Sequence, residues 1–203
     1  HFSFDALNMP KGHPARDDFE TFFVDAPEHP KLGKMLLSPH TSSGQLREMQ
    51  RVKKALPAGR QAPIRMINIA KCYRPNWDTT HTPMFHQIEG LLVDEGVSMA
   101  HLKGILTSFV HRFFSPKTKV RFRPSYFPFT DPSAELDIEC VVCEGRGCRL
   151  CKGSGWLEIL GCGMVHPNVF RAVHYDTKKY SGFAFGMGID RITMLRHRID
   201  DIR

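Results

Sequence analysis

Phe85, Gln87 and Glu89 place an aromatic ring, an amide and a carboxylate at every second position of the stretch from Met84 to Val93. Alternate side chains of a strand point to one face. These three therefore share a side, and His86, Ile88 and Gly90 take the other. The strand continues into Leu91, Leu92 and Val93, so Glu89 sits beside an apolar run where burial without partners is costly. The row reads either as the solvated face of an edge hairpin or as the polar floor of a ligand cleft, with Arg74 at its rim.

Other groups capable of chemistry lie at junctions between elements. His40 and Ser42 fall where a strand hands over to a helix, a place that suits ligand groups and equally suits a turn and a cap. Gly186 and Gly188 precede a helix whose first turns carry Arg191. Missing side chains let a ligand approach the backbone, and a helix N-terminus beside an arginine suits a phosphate. Phe127 and Phe129 share a face and line either a core or an apolar pocket. Cys140-Val-Val-Cys143 and Cys148-Arg-Leu-Cys151 bring four thiols within twelve residues. In a chain with no recognisable export signal, such pairs point to a metal rather than to disulfides. Four sulfurs suit tetrahedral zinc, with Gly145 and Gly147 permitting the reversal between the pairs. Cys72 and Cys162 stand alone.

The elements that must position these groups follow from pattern. Pro63 to Tyr73 and Met84 to Val93 form two strands around a Pro75–Pro83 loop. Shorter strands are expected at Thr21–Val24 and Lys34–Leu37. Ser42 or Ser43 caps a helix ending near Leu56, where Pro57 stops it, and a loop follows to Pro63. Ser98 caps a second helix to about Phe114, with Met99, Leu102, Leu106, Phe109 and Phe113 as its packing stripe. Lys119 to Arg123 alternates, Val120 and Phe122 inward and the bases outward. Pro128 marks a strand end or sheet edge. Ala134–Glu139 and Trp156–Leu160 form a strand pair around the cysteine insert. Residues 161–167 form a turn, and a helix starts at Pro167. Phe183 onward is a strand, a glycine-containing turn and a last helix.

Composition narrows the class. The 203 residues suffice for one substantial core, or a domain with a small insert. Ordinary apolar content argues against disorder, and no stretch of about 18 apolar residues exists to span a bilayer. Lys plus Arg exceeds Asp plus Glu by 28 − 21 = 7, which favours anionic partners such as nucleotide or RNA. The first residue is His1, and no signal peptide pattern follows. An excerpt of a longer chain is expected.

An arginine before a hairpin loop (Arg74) and one after a Gly-x-Gly strand-to-helix junction (Arg191) resemble motifs 2 and 3 of the class II aminoacyl-tRNA synthetases. More specific are His-Thr-Ser at 40–42, Thr-His-Thr-Pro-Met-Phe-His-Gln at 80–87 and Arg-Phe-Arg-Pro-Ser-Tyr-Phe-Pro-Phe at 121–129. Gly-Met-Val-His-Pro at 163–167 and Gly-Phe-Ala-Phe-Gly-Met-Gly at 182–188 add to them. Together they resemble the catalytic alpha chain of bacterial phenylalanyl-tRNA synthetases over nearly the whole chain, the cysteine insert excepted.

The resemblance implies an α+β fold, an antiparallel sheet flanked by helices. Residues 1–203 would be a partial catalytic domain with a knuckle at 140–151. It implies activation of phenylalanine by ATP and transfer to tRNA(Phe). Arg74, His81, Phe85 and Arg191 would bind ATP, with Arg74 on the alpha-phosphate and Phe85 and Arg191 on either side of the adenine. His40, Ser42, Gln87, Glu89, Phe127, Phe129, Ala184 and Gly186 would bind phenylalanine, Gln87 and Glu89 taking its ammonium group. Mg²⁺ is implied, with Glu89 a candidate ligand, and a beta chain in an alpha2beta2 heterotetramer, in the cytoplasm. Departures from the family pattern are Ser38-Pro39 ahead of His40, Asn76 where an acid is usual, and Asp190 where glutamate is usual. Motif 1, an N-terminal coiled coil and the usual C-terminal end are not expected here. A paralogue that binds without catalysing is the alternative.

Overall fold

The computed structural model describes residues 1–57, 63–78, 81–197, 199 and 202. The loop expected between Pro57 and Pro63 falls mainly outside these residues, as do Thr79 and Thr80 of the hairpin loop. Six strands form one antiparallel sheet: β1 (Ile64–Tyr73), β2 (Met84–Asp94), β3 (Val120–Phe127), β4 (Thr130–Glu139), β5 (Trp156–Val165) and β6 (Ser181–Gly188). Their order across the sheet is β1-β2-β6-β5-β4-β3. The last strand in sequence thus inserts between two hairpin systems and joins them. Both proline-bearing strands sit where prolines are tolerated: β3, with Pro124, is an edge, and β4 carries Pro132 near its start.

Sequence alternation divides the two faces. Even positions of β2 (Ile88, Leu92) and odd ones of β6 (Phe183, Met187) join the core under α2 (Met99–Phe113). That helix buries Leu102, Leu106 and Val110 against Leu136, Ile138 and Leu160. Its expected stripe is offset by one helical row, since Phe109 and Phe113 are only partly buried. Odd positions of β2 face the other way. Leu91 and Val93 pack with α1 (Ser43–Ala55), α3 (Pro167–Ala172) and Leu7. The same face, starting two residues before Leu91, is Glu89, Gln87 and Phe85, so the polar floor is a direct continuation of a core.

Four expectations are corrected. The segment expected as a turn at 161–167 is the second half of β5, which runs to Val165 before α3 begins at Pro167. Its glycines are clearances. A Cβ on Gly161 would sit 2.8 Å from the Phe127 ring, and one on Gly163 would sit 2.6 Å from the Pro132 carbonyl. Likewise no turn separates β6 from α4 (Ile189–His197), because Gly188 ends the strand and Ile189 starts the helix. The short strands at Thr21–Val24 and Lys34–Leu37 reduce to one bridge, Phe23 with Leu36. Lastly, Arg121 and Arg123 do not simply face solvent: both donate to the buried Asp137.

One irregularity decides which side chains reach the floor. Leu136 pairs with Leu160, yet Asp137 pairs with Glu158, so Ile159 is an extra residue. A bulge of this kind re-aims the side chains beyond it. Ile159 and Leu160 both enter the α2 core, and Glu158 turns to the cleft face beside Glu135 and Asp137. No helix among the described residues is long and apolar enough to cross a membrane.

The glycine clearances predict a contrast. Gly163→Ala forces contact with the Pro132 carbonyl and Thr130, and should cost about 1–3 kcal/mol. Gly104→Ala, mid-helix in α2 with nothing within 4 Å of the new methyl, should stabilise by about 0.5–1 kcal/mol. Chemical denaturation of the two variants gives the comparison. Equal effects would remove the clearance argument.

Candidate functional site

A cavity of about 510 Å³ opens over the cleft face. It is lined by Arg74, His81, Phe85, Gln87, Glu89 and Arg191, by His40 and Ser42, and by Phe127, Phe129, Ala184 and Gly186. Every residue assigned to ATP or to phenylalanine by resemblance therefore meets the others at one site. They come from both halves of the sheet, and the pairing explains how. One cross-strand row runs Arg123–Glu135–Gly161–Gly186–Glu89–Asn68. The two glycines in the middle leave the floor bare of side chains. A Cβ on Gly186 would lie 2.9 Å from Gln87 Nε2 and 3.8 Å from Glu89 Oε2.

Glu89 is 2 % exposed and makes no ion pair among the described residues. Its carboxylate accepts from Thr41 Oγ1, from Ser42 Oγ (3.0 Å) and from the amide of Gln45. All three donors come from the start of α1. Ser42 holds the N-cap position with a helical backbone and makes no capping bond, its hydroxyl being committed to Glu89 instead. Burial pushes the Glu89 pKa up, and the three neutral donors only partly offset this. Such a carboxylate gains from an incoming cation. It offers little to magnesium, however, which keeps several waters in an octahedral shell; both Glu89 oxygens are already engaged, so the expected magnesium role does not fit. Gln87 is fixed too, accepting at Oε1 from the Thr41 amide (3.3 Å) and the Cys72 thiol (3.4 Å). Gln45 and Thr41 escaped sequence reasoning. The available signal was Gln45 three residues beyond Ser42, on the same side of a helix's first turn.

Phe127 and Phe129 stack on each other at 6.0 Å, and His40 lies 6.0 Å from the Phe129 ring. Together with Ala184 they form the apolar end. The cleft's other end is charged. Arg74 donates from Nε to the Pro39 carbonyl (3.0 Å), and its guanidinium lies 5.3 Å from the centre of the Phe85 ring. Thus Arg74 itself, rather than Arg191, adjoins Phe85 here. Arg191, Asn76, Glu135 and Glu158 complete that end. His81 pairs with Asp78 at 2.8 Å. Asp190, just before Arg191, accepts the His86 backbone N–H at 2.6 Å and so ties the start of α4 to β2. Burial raises the Glu158 pKa, nearby Glu135 adds to this and Arg191 opposes it. The bulge that exposes Glu158 leaves no sequence pattern, which is why this residue was missed.

The cysteine insert stands apart from the cavity. All four sulfurs of Cys140, Cys143, Cys148 and Cys151 lie within 4.8 Å of one another. Backbone N–H groups of Gly147, Cys148 and Gly155 point at Cys143 and Cys151 sulfurs at 3.1–3.3 Å. The insert is also a repeat that sequence reasoning overlooked: Cys-Val-Val-Cys-Glu-Gly-Arg-Gly, then Cys-Arg-Leu-Cys-Lys-Gly-Ser-Gly. The backbone repeats with it. Glu144 and Lys152 both have φ 50°, and Gly145 and Gly153 have φ 79° and 78°, a region that strongly favours glycine. The contacts are reciprocal: a Cβ on Gly147 would strike the Gly153 carbonyl, and one on Gly155 the Gly145 carbonyl. The two halves thus clasp each other and present two thiols each. Four convergent sulfurs with N–H donors behind them fit a tetrahedral thiolate metal site.

His40 yields a pH prediction. Its Nε2 lies 3.1 Å from the Ser3 carbonyl and so carries the proton, while Nδ1 is buried without a partner among the described residues. Burial first, and Arg74 second, lower its pKa to about 4. The folded state therefore resists protonation more than the unfolded one. Its stabilising contribution is full above pH ~6.5 and is lost as pH falls from there towards about 4. His40→Gln should flatten the fall in unfolding midpoint between pH 7 and 4.5. An unchanged slope would show that His40 is not the group responsible.

The family described as "tRNA synthetases class II core domain (F)" matches residues 1–203. A protein named phenylalanine–tRNA ligase alpha subunit from Desulfosudis oleivorans is 56% identical over all 203 residues of this chain. Proteins of the same name from Francisella tularensis subsp. tularensis and subsp. novicida are 54% identical over the same span. In each case the chain spans 56% of the relative's length. With a family match from end to end, over a sheet of this topology and a cleft built of these residues, the chain belongs to the class II tRNA synthetase core domains.

Proposed function

We propose that this chain is the catalytic module of a phenylalanine–tRNA ligase. The observation that supports it most is the joining of an apolar aromatic end and a charged end by a glycine floor beside one buried carboxylate. Phenylalanine's ring would lie against Phe127, Phe129 and Ala184. Its ammonium group would meet Glu89 and Gln87, with His40 and Ser42 at the side and Gly186 as the wall that leaves room. ATP would take the charged end. Arg74 would hold the alpha-phosphate, His81 would lie near the phosphates, and the adenine would enter between Phe85 and Arg191, where a planar guanidinium stacks well.

The chemistry is two displacements. A carboxylate oxygen of phenylalanine attacks the alpha-phosphorus, forming a phosphorus–oxygen bond as the bond to pyrophosphate breaks. A ribose hydroxyl at the tRNA terminus then attacks the acyl carbon and AMP leaves. The first step needs no general base, since its nucleophile is already an anion. Positioning and charge neutralisation carry it. Magnesium accompanying ATP would neutralise phosphate charge. Glu158, facing the nucleotide end, suits it better than Glu89. The reading further implies tRNA(Phe) and a beta chain as partners, in an alpha2beta2 assembly, and a cytoplasmic location.

Arg74→Ala in the full-length, assembled protein tests the reading. Losing a charge-assisted contact of about 1.5–3 kcal/mol or more should cut phenylalanine-dependent pyrophosphate exchange at least about 100-fold with the unfolding midpoint nearly unchanged. Near-normal exchange would remove Arg74 from its role. Absence of exchange in the unsubstituted protein would favour the non-catalytic paralogue.

We propose one structural zinc ion per chain, held by Cys140, Cys143, Cys148 and Cys151. The insert has too little apolar surface to fold on burial alone, and a metal would supply that energy. Protein purified without chelator should contain close to one equivalent, and Cys143→Ser with Cys148→Ser should abolish it. Free thiols throughout, with less than about a tenth of an equivalent of zinc, would leave the insert a bare loop.

A further inference from the structure

We propose that the four-cysteine insert acts on the nucleotide end of the cleft through side chains running from Trp156 to Glu135, so that metal in the insert sets the affinity for ATP. This rests on the catalytic and zinc readings above.

The path starts where the insert joins the sheet. Glu139 and Trp156 are the last pair of β4 and β5, and the Cys140 N–H donates to the Gly155 carbonyl at 2.8 Å. Trp156 lies on the cleft face, on the same side of the bulge as Glu158. The Arg121 guanidinium stacks on its indole at 4.4 Å and donates from Nε to Asp137 at 2.8 Å. Asp137, with its side chain 2 % exposed, also accepts from Arg123 at 2.6 Å. Arg123 reaches on to Glu135 at 2.6 Å. Glu135 lines the cavity, and Glu158, opposite Asp137, lines it as well.

Asp137 is the hinge of the argument. A buried carboxylate needs its cations, and removing one leaves an uncompensated charge. Arg121 keeps its place by stacking on Trp156, and the metal-held insert keeps Trp156 in its place. If the insert loosens, Arg121 loses its platform, and Arg123 is drawn wholly to Asp137. Glu135 then keeps only the Ser125 hydroxyl (3.0 Å) and loses its cation at the nucleotide end. The phenylalanine end lies beyond Gly161, along Gly163, Ala184 and the two stacked rings, where none of these contacts reaches. A selective effect on ATP is therefore expected, in contrast to general loosening.

The test uses the full-length assembled protein and compares KM for ATP with KM for phenylalanine in pyrophosphate exchange. Removing zinc by chelation should raise KM for ATP about three- to tenfold, leave KM for phenylalanine within about twofold, and shift the Trp156 fluorescence; restoring zinc should reverse all three. Trp156→Ala should give the same split with zinc content unchanged, and Trp156→Phe, which keeps a ring under Arg121, should recover most of it. Chelation should add little to Trp156→Ala. Unchanged KM for ATP on zinc removal, or an equal rise in both KM values, would overturn the coupling while leaving the zinc site intact. Protein containing no zinc would overturn the metal reading and this coupling with it.

Discussion

A carboxylate buried on a glycine floor is the constraint on which the cleft depends. Glu89 lies among core residues of the same strand face, and no cation among the described residues pairs with it. Three neutral donors must reach it instead, and all come from the first turn of α1 and the two residues before it. That requirement fixes where the helix starts and why Ser42 caps nothing. It also explains why α1 lies against β1 and β2 at this height. The glycines at 161 and 186 answer the same need from the other side, since any side chain there would fill the space above the carboxylate.

Much of this was legible in the sequence. Period-two alternation placed Phe85, Gln87 and Glu89 on one face because β2 is regular for eleven residues. Helix boundaries at Ser43 and Met99 followed from their serines, although only Ser98 caps in the usual way. What failed has a physical reason in each case. The segment 161–167 and the junction after β6 look like glycine-rich turns in sequence, whereas in β5 and β6 these glycines clear room for Phe127, Thr130 and Gln87. Outward-pointing bases were assumed to meet solvent, because the sequence does not tell that Asp137 is buried beside them. The repeat in the insert was present in plain letters and was passed over for the cysteine spacing alone.

The two sites use opposite means to order short stretches of chain. In the cleft, a core supplies the rigidity, and polar groups are satisfied one by one. In the insert, two copies of an eight-residue unit hold each other through glycine backbones in left-handed conformations. Little side-chain volume is buried there, so the four sulfurs are what remains to tie the copies together. The family match runs through the insert as well as the cleft, and the insert's ends are adjacent strand partners.

The extra residue at Ile159 has a consequence for how this strand is compared with others. Before it, even numbers face the cleft; after it, odd numbers do. The strand thus carries two reading frames of inside and outside. Loss of Ile159 alone would straighten the strand and yet leave Glu158 opposite Asp137 on the cleft face and Leu157 under α2. A one-letter gap at this position in an alignment would then matter less than many substitutions, because every neighbouring letter keeps its face.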